Sequence, residues 1–444
     1  MIVLSHFRCY APASLANHRH YADLQGYRHE VVDASAMAQT LLMSALYRYE
    51  VLLNTLRHAQ AGQIVLLLSE NAAIIEPVAL ERLMAGRDLL LVRTDKHELP
   101  QTDVQIWRNT PKIQEIVLQL VKKSRLGGTQ QLTSEAALFE GLETWHYTMT
   151  IEGICPVMQS GCNYDPLWSR VATFAISIDD RPDNPAQKTA IPRFRNTLIE
   201  HINSALVTGI PLFSFPQYRR SATAEEAERS VYNPGCAIAM VMLYTPNIKN
   251  YACIAEDNIR RYCETHGYTL YIHRDIPYEI DLKATGNWYK PFLLHGYMEH
   301  HEWVIWLDSD ILITSQEQKL EPLLVGRDWL LAHDLGQWLF NAGLMGFRRS
   351  ERNHEMLYHL MERITLLADK SCVYASEGDQ SKFIDALQET WQVQDKDIVD
   401  MISLNTPWMF WRLDSFSTHY YDMWPEMRLL MMAHDEAFLL RAVE

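Results

Sequence analysis

Two carboxylates stand directly after one apolar segment, where they could hold a metal ion. The run Trp303–Leu307 has the length and composition of a buried strand, and Asp308-Ser309-Asp310 follows it before apolar residues resume at Ile311. Residues i and i+2 of an extended segment point the same way, so Asp308 and Asp310 should converge. Such a pair suits Mg²⁺ or Mn²⁺, which fill their other positions with water and phosphate oxygens. The alternative is an ordinary Asp-Ser-Asp turn, but the tryptophan-rich strand and the apolar segment after it favour a metal site.

Further motifs surround this acidic pair in a fixed order. They are Trp288-Tyr289-Lys290-Pro291, Asn341-Ala342-Gly343 with Phe347-Arg348-Arg349-Ser350, Glu377-Gly378-Asp379-Gln380-Ser381, and Phe416-Ser417-Thr418-His419-Tyr420. In order and spacing these segments resemble a family of retaining glycosyltransferases. That family contains yeast α-galactosyltransferases, mannan α-mannosyltransferase subunits and plant xyloglucan α-xylosyltransferases. The resemblance covers about residues 237–422.

The resemblance implies a GT-A fold, a divalent cation (Mn²⁺, or Mg²⁺), a nucleotide-sugar donor that we expect to be UDP-linked, and an α-linked product. By position it assigns Asp308 and Asp310 to the metal and the donor phosphates, with Ser309 between them in the donor site. It assigns His419 as the third metal ligand, a role that a neutral imidazole can fill. The competing candidate is His434, and a histidine between aromatic residues is also common in a packed core.

The same resemblance assigns the surroundings of the donor sugar. Lys290 would meet a donor phosphate, although it could also begin a solvated helix. Asn341 lies on a segment where Gly343 lets the backbone approach a ligand closely. Asp379 and Gln380 match the pair that lines the sugar pocket on the reacting face. We therefore predict Asp379, Gln380 and Asn341 as catalytic residues.

The chain also contains an internal repeat. Offset by 240 residues, Ile64–Val92 aligns without a gap on Val304–Ala332, and ten of the 29 positions are identical, where chance gives about two. In this alignment Leu68-Ser69-Glu70 stands opposite Asp308-Ser309-Asp310, so one carboxylate is lost. The other site positions differ too: Lys290, Asp379, Gln380 and His419 fall opposite or near Glu50, Ala137, Leu138 and Ser177.

These differences predict an N-terminal half that kept the fold and lost catalysis; the alternative is two unrelated α/β halves. We expect tandem α/β domains of GT-A (Rossmann-like) type, each with a mostly parallel sheet, because strand-like and helical segments alternate. The predicted boundaries are a degenerate, non-catalytic domain over 1–220, a linker over 221–236 and a catalytic domain over 237–444. In the catalytic domain the predicted elements are strands 237–243, 269–274 and 304–307 and helices 248–266, 289–300, 351–367 and 380–390.

Composition indicates the compartment of the protein and the partners it could bind. The seven cysteines are odd in number and form no Cys-x-x-Cys pair, which fits reduced thiols rather than a disulfide frame or a zinc site. No apolar run approaches the roughly 20 residues of a membrane span. The net charge of −15 gives no indication of a nucleic-acid partner, because that affinity rests on basic contacts. We expect a cytoplasmic protein of a bacterium or of a phage-infected cell.

The sequence therefore predicts a metal-dependent retaining glycosyltransferase that moves a sugar from a nucleotide-sugar donor to an acceptor hydroxyl. A surface glycan is the favoured acceptor. A modified base of phage DNA stays open, because the stretch from Trp408 to Trp424 has no counterpart in the family and leaves the acceptor site unassigned. The alternative function is a non-catalytic nucleotide-sugar-binding scaffold, since one copy has lost its carboxylates. A metal phosphohydrolase would gather more His and Asp ligands around two metals, and the sequence shows no such cluster.

Overall fold

The chain divides into two compact units. Unit 1 is Met1–Asp183 with Ile191–Ser214, and unit 2 is Asn184–Ala190 with Phe215–Glu444. The computed structural model describes residues 1–36, 40–93, 100–126, 135–141, 147–149, 158–160, 173–178, 189–214, 227–372 and 377–443. Among the described helices, none combines the length and the apolar composition that crossing a membrane requires.

Unit 1 alternates strands and helices. Its strands are β1 (Ile2–Phe7), β2 (Arg28–Asp33), β3 (Ile64–Leu68), β4 (Ala72–Ile74), β5 (Leu89–Arg93), β6 (Gln101–Arg108), β7 (Tyr147–Met149), β8 (Met158–Ser160) and β9 (Ala175–Ser177). Its helices are α1 (Pro12–Gln25), α2 (Leu41–His58), α3 (Leu80–Met84), α4 (Pro111–Leu126) and α5 (Ala190–Thr208). The main sheet has the order β2-β1-β3-β6-β5-β7, and a small sheet has the order β4-β9-β8.

Unit 2 alternates in the same way. Its strands are β10 (Arg229–Tyr232), β11 (Ile238–Leu243), β12 (Thr269–His273), β13 (Trp303–Leu307), β14 (Ile311–Ile313), β15 (Trp329–Leu331), β16 (Leu344–Arg348), β17 (Thr406–Pro407) and β18 (Ser417–His419). Its helices are α6 (Lys249–His266), α7 (Lys290–Met298), α8 (Glu321–Leu324), α9 (Glu351–Leu366), α10 (Asp379–Trp391), α11 (Met401–Leu404) and α12 (Pro425–Val443). The main sheet has the order β10-β12-β11-β13-β16-β15, and a small sheet has the order β14-β18-β17.

Packing in the core of unit 2 brings the first residues of two helices, α7 and α10, to the same place. Strands β11 and β13 are buried along their whole length, as is typical of parallel strands covered on both faces. Helices α7, α9 and α10 contribute to one apolar cluster with β13 and β16, which includes Trp288, Trp306, Phe347 and Phe383. This packing places the first residues of α7 and α10 near the end of β13.

The α/β fold is confirmed, but the main sheets are mixed rather than mostly parallel. In the main sheet of unit 2, β11 pairs parallel with β12 and with β13, while β16 pairs antiparallel with β13 and β15, and β10 pairs antiparallel with β12. The chain passes from β15 to β16 through residues 332–343, which form no helix, whereas parallel neighbours are usually joined by a helical crossover. Strand β10 lies within residues 221–236, which were predicted to be a linker; residues 221–226 of that segment lie outside the described residues.

The two units share one strand order. The series β2-β1-β3-β6-β5 in unit 1 matches β12-β11-β13-β16-β15 in unit 2, and β4-β9 matches β14-β18. In both units the first helix ends at a glycine with left-handed backbone, Gly26 with φ 66° and Gly267 with φ 72°, a conformation that favours glycine. A common topology is what an internal repeat predicts. The duplication itself stays a prediction.

Strand registers correct the gapless alignment by one residue. Strand β3 pairs with β6 so that Leu68 faces Val104, and β13 pairs with β16 so that Leu307 faces Leu344. Leu344 stands 240 residues after Val104, whereas Leu307 stands 239 residues after Leu68. The registers therefore match Ser69 with Asp308, Glu70 with Ser309 and Asn71 with Asp310.

At the start of the next helix, matching residues of the two units are again 240 positions apart. The hydroxyl of Tyr27 accepts a hydrogen bond from the backbone N–H of Leu80 at 3.2 Å, and Tyr268 accepts one from Leu320 at 3.1 Å. Unit 2 therefore has one more residue than unit 1 between its short strand, β14, and the helix that follows. The sequence alignment without a gap could not show this extra residue.

Candidate active site

The acidic pair lies between two strands that belong to different sheets. Asp308 follows β13 and donates its backbone N–H to the carbonyl of Gly343 at 2.7 Å, next to β16. Asp310 precedes β14 and accepts at its carbonyl from the N–H of Tyr420 at 2.9 Å, next to β18. Backbone contacts with both sheets thus fix the direction in which the two carboxylates point.

The small sheet brings His419 to the acidic pair. Its partner across the β14–β18 ladder is Ile311, and its Nε2 lies 3.2 Å from Oδ1 of Asp310. Ligand atoms of Asp308, Asp310 and His419 lie within 4.8 Å of one another. Among the described residues, no hydrogen-bond partner faces the buried Nδ1 of His419.

The competing candidate, His434, contacts a different carboxylate. His434 is on α12, where its Nδ1 lies 3.0 Å from Oδ1 of Asp435. It does not belong to the group of possible metal ligands found among the described residues. The geometry therefore favours His419 over His434.

This ligand set fits the predicted cation. Two carboxylates and one imidazole with an unpartnered nitrogen are acceptable to Mn²⁺, and the carboxylates also suit Mg²⁺. Gly343 leaves space for the imidazole of His419. A Cβ built on Gly343 would lie 2.1 Å from Cε1 and 2.7 Å from Nδ1 of His419, so a side chain at this position would occupy the space of the imidazole.

Lys290 contacts two carboxylates and one backbone carbonyl. Its Nζ donates to Oδ2 of Asp308 and to the carbonyl of Ala342, each at 3.1 Å, and lies 3.0 Å from Oδ2 of Asp379. The role of Lys290 toward a donor phosphate stays a prediction. Burial alone would lower the pKa of Lys290, but the two carboxylates raise it above its ordinary value.

The two carboxylates of the pair differ in their electrostatic surroundings. Burial raises the pKa of Asp308 despite the ammonium group of Lys290, and the indole N–H of Trp306 donates to its Oδ1 at 2.7 Å. Burial also acts on Asp310, but Arg428 and His419 outweigh it and hold the pKa of Asp310 below its ordinary value. Nη1 of Arg428 lies 3.3 Å from Oδ2 of Asp310.

The predicted sugar-side residues stand at the start of α10. Asp379 is the first residue of that helix, and its Oδ1 accepts from Nδ2 of Asn287 at 3.0 Å. Gln380 accepts from the backbone N–H of Ala342 at 3.0 Å and donates to Oδ2 of Asp334 at 2.9 Å. These bonds connect Gln380 to the loop between β15 and β16, and Asp379 to the residues that precede α7.

The Asn341 side chain is fixed by its own neighbours. Its Oδ1 accepts from the backbone N–H of Gly343 and from Nδ2 of Asn405, both at 2.9 Å. The amide group is therefore oriented before any ligand arrives, and its Nδ2 is the end that a ligand could use.

One cavity of about 350 Å³ joins these residues. It is lined by Lys290, Asp308, Asp310, Asp334, Leu335, Trp338, Asn341, Ala342, Gly343, Asp379, Gln380, Met409, His419, Tyr421 and Asp422. Every predicted site residue except Ser309 is among them; Ser309 is buried. The sequence did not single out Arg428, Asp334, Asn287 or Asn405, because none of them belongs to a motif and each acts through another side chain.

Unit 1 has a different arrangement at the matching place. Ser69 donates its backbone N–H to the carbonyl of Asp103, as Asp308 does to Gly343, so Asp103 occupies the position of the glycine. The hydroxyls of Ser69 and Ser177 donate to the two carboxylate oxygens of Asp103 at 2.6 and 2.5 Å. Among the described residues of unit 1, no three His, Cys, Asp or Glu side chains form a group that could hold a metal.

Comparison with known proteins gives one family match. Residues 238–437 match the sequence model of the galactosyl transferase GMA12/MNN10 family. No curated protein matches the chain. The predicted resemblance is therefore confirmed for the C-terminal half.

Three solved structures are similar to this chain at low identity. A glycosyltransferase involved in glycosylation of the major capsid of PBCV-1 is 15% identical, with a TM-score of 0.35, over 45% of this chain and 99% of that one. The glycosyltransferase GlyE of Streptococcus pneumoniae TIGR4 in its apo form is 14% identical, with a TM-score of 0.32, over 46% of this chain and 62% of that one. The galactosyltransferase LgtC, in complex with donor and acceptor sugar analogs, is 12% identical, with a TM-score of 0.25, over 44% of this chain and 95% of that one.

The family match covers β11 to α12 and so includes every element that carries the acidic pair, His419, Lys290 and Asp379. The C-terminal half of this chain is similar to the galactosyl transferase GMA12/MNN10 family, and this match supports a glycosyltransferase domain there.

Proposed function

We propose that unit 2 is a metal-dependent retaining glycosyltransferase, which uses a nucleotide-sugar donor, UDP-linked by expectation, and an acceptor hydroxyl. The observation that carries this proposal is the convergence of Asp308, Asp310 and His419 in the same cavity as Asp379, Gln380 and Asn341. The order of the motifs along the chain supports the retaining mechanism, since it resembles a family of retaining enzymes.

The acidic pair and the imidazole would hold the cation. Mn²⁺ or Mg²⁺ bound there would offset the negative charge that develops on the departing diphosphate. In the reaction the C1–O bond to the diphosphate breaks, and a C1–O bond to the acceptor oxygen forms. The acceptor proton passes to the leaving diphosphate oxygen on the same face. The diphosphate therefore leaves from the side of the cavity that carries Asp308 and Asp310.

Lys290 is proposed as a positioning residue. Its ammonium group contacts one carboxylate of the metal pair and the carboxylate of Asp379. It thereby fixes the distance between the metal side and the sugar side of the cavity. Reacting groups must be held close to their productive geometry, and one buried cation shared by two carboxylates provides this without contacting the substrate.

Asp379, Gln380 and Asn341 are proposed to orient the donor sugar. Each already makes a hydrogen bond to another protein group, which fixes its side chain before the donor binds. The remaining lone pairs of the Asp379 carboxylate and the amide hydrogens of Asn341 are available to sugar hydroxyls.

Unit 1 is proposed to be non-catalytic. Asp103 fills the position of Gly343, and its carboxylate oxygens accept from Ser69 and Ser177 rather than facing an imidazole. The described part of unit 1 therefore lacks the donor set on which the proposed chemistry of unit 2 depends.

The test is a screen of UDP- and GDP-sugars with the full chain. We expect release of nucleoside diphosphate from one donor in the presence of MnCl₂ and loss of this release with EDTA. NMR of the anomeric proton in the product should show the configuration of the donor. Mn²⁺-dependent donor binding without any turnover would instead support the alternative, a nucleotide-sugar-binding scaffold. Inverted configuration would contradict the retaining mechanism.

A further inference from the structure

Arg428 contacts the acidic pair but is not one of the residues that line the cavity. Its Nη1 lies 3.3 Å from Oδ2 of Asp310, and its side chain is 17% exposed. The other oxygen of the same carboxylate, Oδ1, lies 3.2 Å from Nε2 of His419. The two oxygens of Asp310 therefore have different neighbours. One faces a guanidinium, which is always charged, and the other faces the imidazole of a proposed metal ligand.

Three further contacts hold this guanidinium in place. Nε of Arg428 donates to the carbonyl of Tyr420 at 2.9 Å, and Nη1 donates to the hydroxyl of Tyr251 at 2.9 Å. The central carbon of the guanidinium lies 4.9 Å from the centre of the Tyr251 ring, which is within the range of a cation–π contact. Tyr251 is a buried residue of α6, and the N–H of Tyr420 donates to the carbonyl of Asp310. Arg428 thus joins α12 to α6 and to the segment that follows β18.

The charge of Arg428 restricts how Asp310 can hold a cation. A carboxylate binds a metal ion through one of its oxygens or through both. Binding through both would bring the ion close to Oδ2, and therefore close to the guanidinium, where like charges repel each other. Binding through Oδ1 alone, on the side of His419, avoids this repulsion. A dication at Asp310 is therefore directed to one oxygen.

The number of oxygens matters because divalent ions differ in what they require. Mg²⁺ requires a nearly octahedral set of ligands at about 2.0–2.1 Å, whereas Ca²⁺ takes roughly six to eight oxygens at about 2.3–2.6 Å and accepts both oxygens of one carboxylate. Octahedral oxygen sites also suit Mn²⁺. Binding through one oxygen of Asp310 removes a ligand that Ca²⁺ could use and costs the smaller ions nothing.

We infer that Arg428 is a positioning residue, which limits Asp310 to one metal-binding oxygen and thereby selects Mn²⁺ or Mg²⁺ over Ca²⁺. This inference rests on the proposed function, because it concerns the cation of the same site. Arg428 acts through Asp310 and not by contact with the cation. The property to measure is selectivity. Loss of a nearby positive charge changes the affinity for every dication in the same direction and by a similar factor, and this factor cancels in a ratio of two affinities.

The test compares Mn²⁺ and Ca²⁺ on the full chain. Free Mn²⁺ is measured by electron paramagnetic resonance during titration with MnCl₂ in the presence of UDP, and bound Mn²⁺ is then displaced with CaCl₂. The Mn²⁺ that Asp310→Ala no longer binds is the Mn²⁺ of this site. In Arg428→Met the ratio of Ca²⁺ affinity to Mn²⁺ affinity should rise about tenfold, which corresponds to roughly 1.4 kcal/mol. Arg428→Lys keeps the charge and should give a smaller rise.

Two further variants separate orientation from stability. Tyr251→Phe keeps the ring and removes the hydroxyl that accepts from Arg428. The ratio should rise about threefold, because one hydrogen bond that orients the guanidinium is lost. The matched control is Arg261→Met. Arg261 also joins α6 to α12, through a 2.6 Å bond to Glu436, but Glu436 does not belong to the group of possible metal ligands among the described residues. Its loss should leave the ratio unchanged.

An unchanged ratio in Arg428→Met would overturn the inference, and so would an equal rise in Arg261→Met. If Arg428→Met does not fold, as judged by circular dichroism, an unchanged ratio in Tyr251→Phe has the same meaning. Weaker UDP binding in Arg428→Met with an unchanged ratio would assign Arg428 to the donor instead.

The proposed function is judged on the original chain in the same experiment. If the original chain binds no more Mn²⁺ than Asp310→Ala does, the metal-dependent function is contradicted and the inference with it. Mn²⁺ binding and Mn²⁺-dependent donor hydrolysis, together with an unchanged ratio in Arg428→Met, contradict the inference alone.

Discussion

The Cα of Gly343 faces the imidazole of His419 so closely that an added Cβ would lie 2.1 Å from Cε1. Carbon atoms make favourable non-bonded contacts at about 3.5–4.0 Å, so no side chain fits without displacing the imidazole. The carbonyl of the same glycine accepts from the N–H of Asp308. Gly343 thus links the positions of two proposed metal ligands.

Gly343→Ala is expected to reduce Mn²⁺ affinity, because the methyl group would push His419 away from Asp310. Isothermal titration with MnCl₂ and the Mn²⁺ dependence of donor hydrolysis would measure the loss, which we expect to exceed tenfold. The control is Gly296→Ala on α7, where an added Cβ meets nothing within 4 Å and alanine should stabilise the helix by about 1 kcal/mol. Unchanged Mn²⁺ affinity in Gly343→Ala would contradict the proposed site.

Asp308→Ala and Asp310→Ala should each abolish transfer and Mn²⁺-dependent donor binding while the chain still folds. The reason is that each removes one of two carboxylates that the proposed cation needs. Transfer assays, titration calorimetry and circular dichroism would separate lost chemistry from lost folding. Asp414→Ala, at an exposed carboxylate paired with Arg412, serves as the control, and full activity in either active-site variant would remove the central claim.

His419→Ala should weaken the Mn²⁺ dependence more than His434→Ala does. The imidazole of His419 contacts Asp310, whereas His434 contacts Asp435. The concentration of MnCl₂ that gives half-maximal donor hydrolysis is the quantity to compare. The opposite ranking would transfer the ligand role to His434.

Lys290→Met should destabilise unit 2, because it leaves the buried carboxylate of Asp379 and the half-buried one of Asp308 without their shared cation. Removal of one partner from a buried ion pair costs about 3–5 kcal/mol. The free energy of unfolding, measured with urea, should fall by that order, and Mn²⁺ affinity should change as Asp308 loses its orientation. Lys319→Met, at an exposed position, is the control; a variant of Lys290 with normal stability but lost phosphate affinity would support the phosphate role that the sequence predicts.

Substitutions in unit 1 should leave the metal-dependent chemistry intact. In Asp103→Ala or Glu70→Ala, turnover per folded molecule and its Mn²⁺ dependence should stay within about twofold of the original chain. Stability should fall, because Asp103 accepts from the buried hydroxyl of Ser69 and the buried carboxylate of Glu70 accepts from Arg8, and a lost buried hydrogen bond costs about 1–3 kcal/mol. Loss of Mn²⁺ dependence, or a metal bound near Glu70 in a crystal, would show that unit 1 holds a working site.

The sequence by itself predicted a metal-binding role for the acidic pair, and it located three strands and four helices of unit 2. Local patterns were sufficient there: an apolar strand that ends in Asp308-Ser309-Asp310 has a regular side-chain direction, and the predicted helix over 248–266 is observed as Lys249–His266. The order of motifs also identified the family. These features depend on residues that are near each other in the chain, so one sequence can reveal them.

The tertiary structure decided what depends on pairing between distant segments. The β14–β18 ladder brings His419, and not His434, next to Asp310, and the packing of α7 and α10 places Lys290 between Asp308 and Asp379. Strand register also shifted the match between the units by one residue. Because successive side chains of a strand point to opposite faces, such a shift changes which residues face the site. Hydrophobic patterns alone do not determine the strand register when one unit has an extra residue. The role of Asp103, which stands where unit 2 needs a glycine, emerged only from that register.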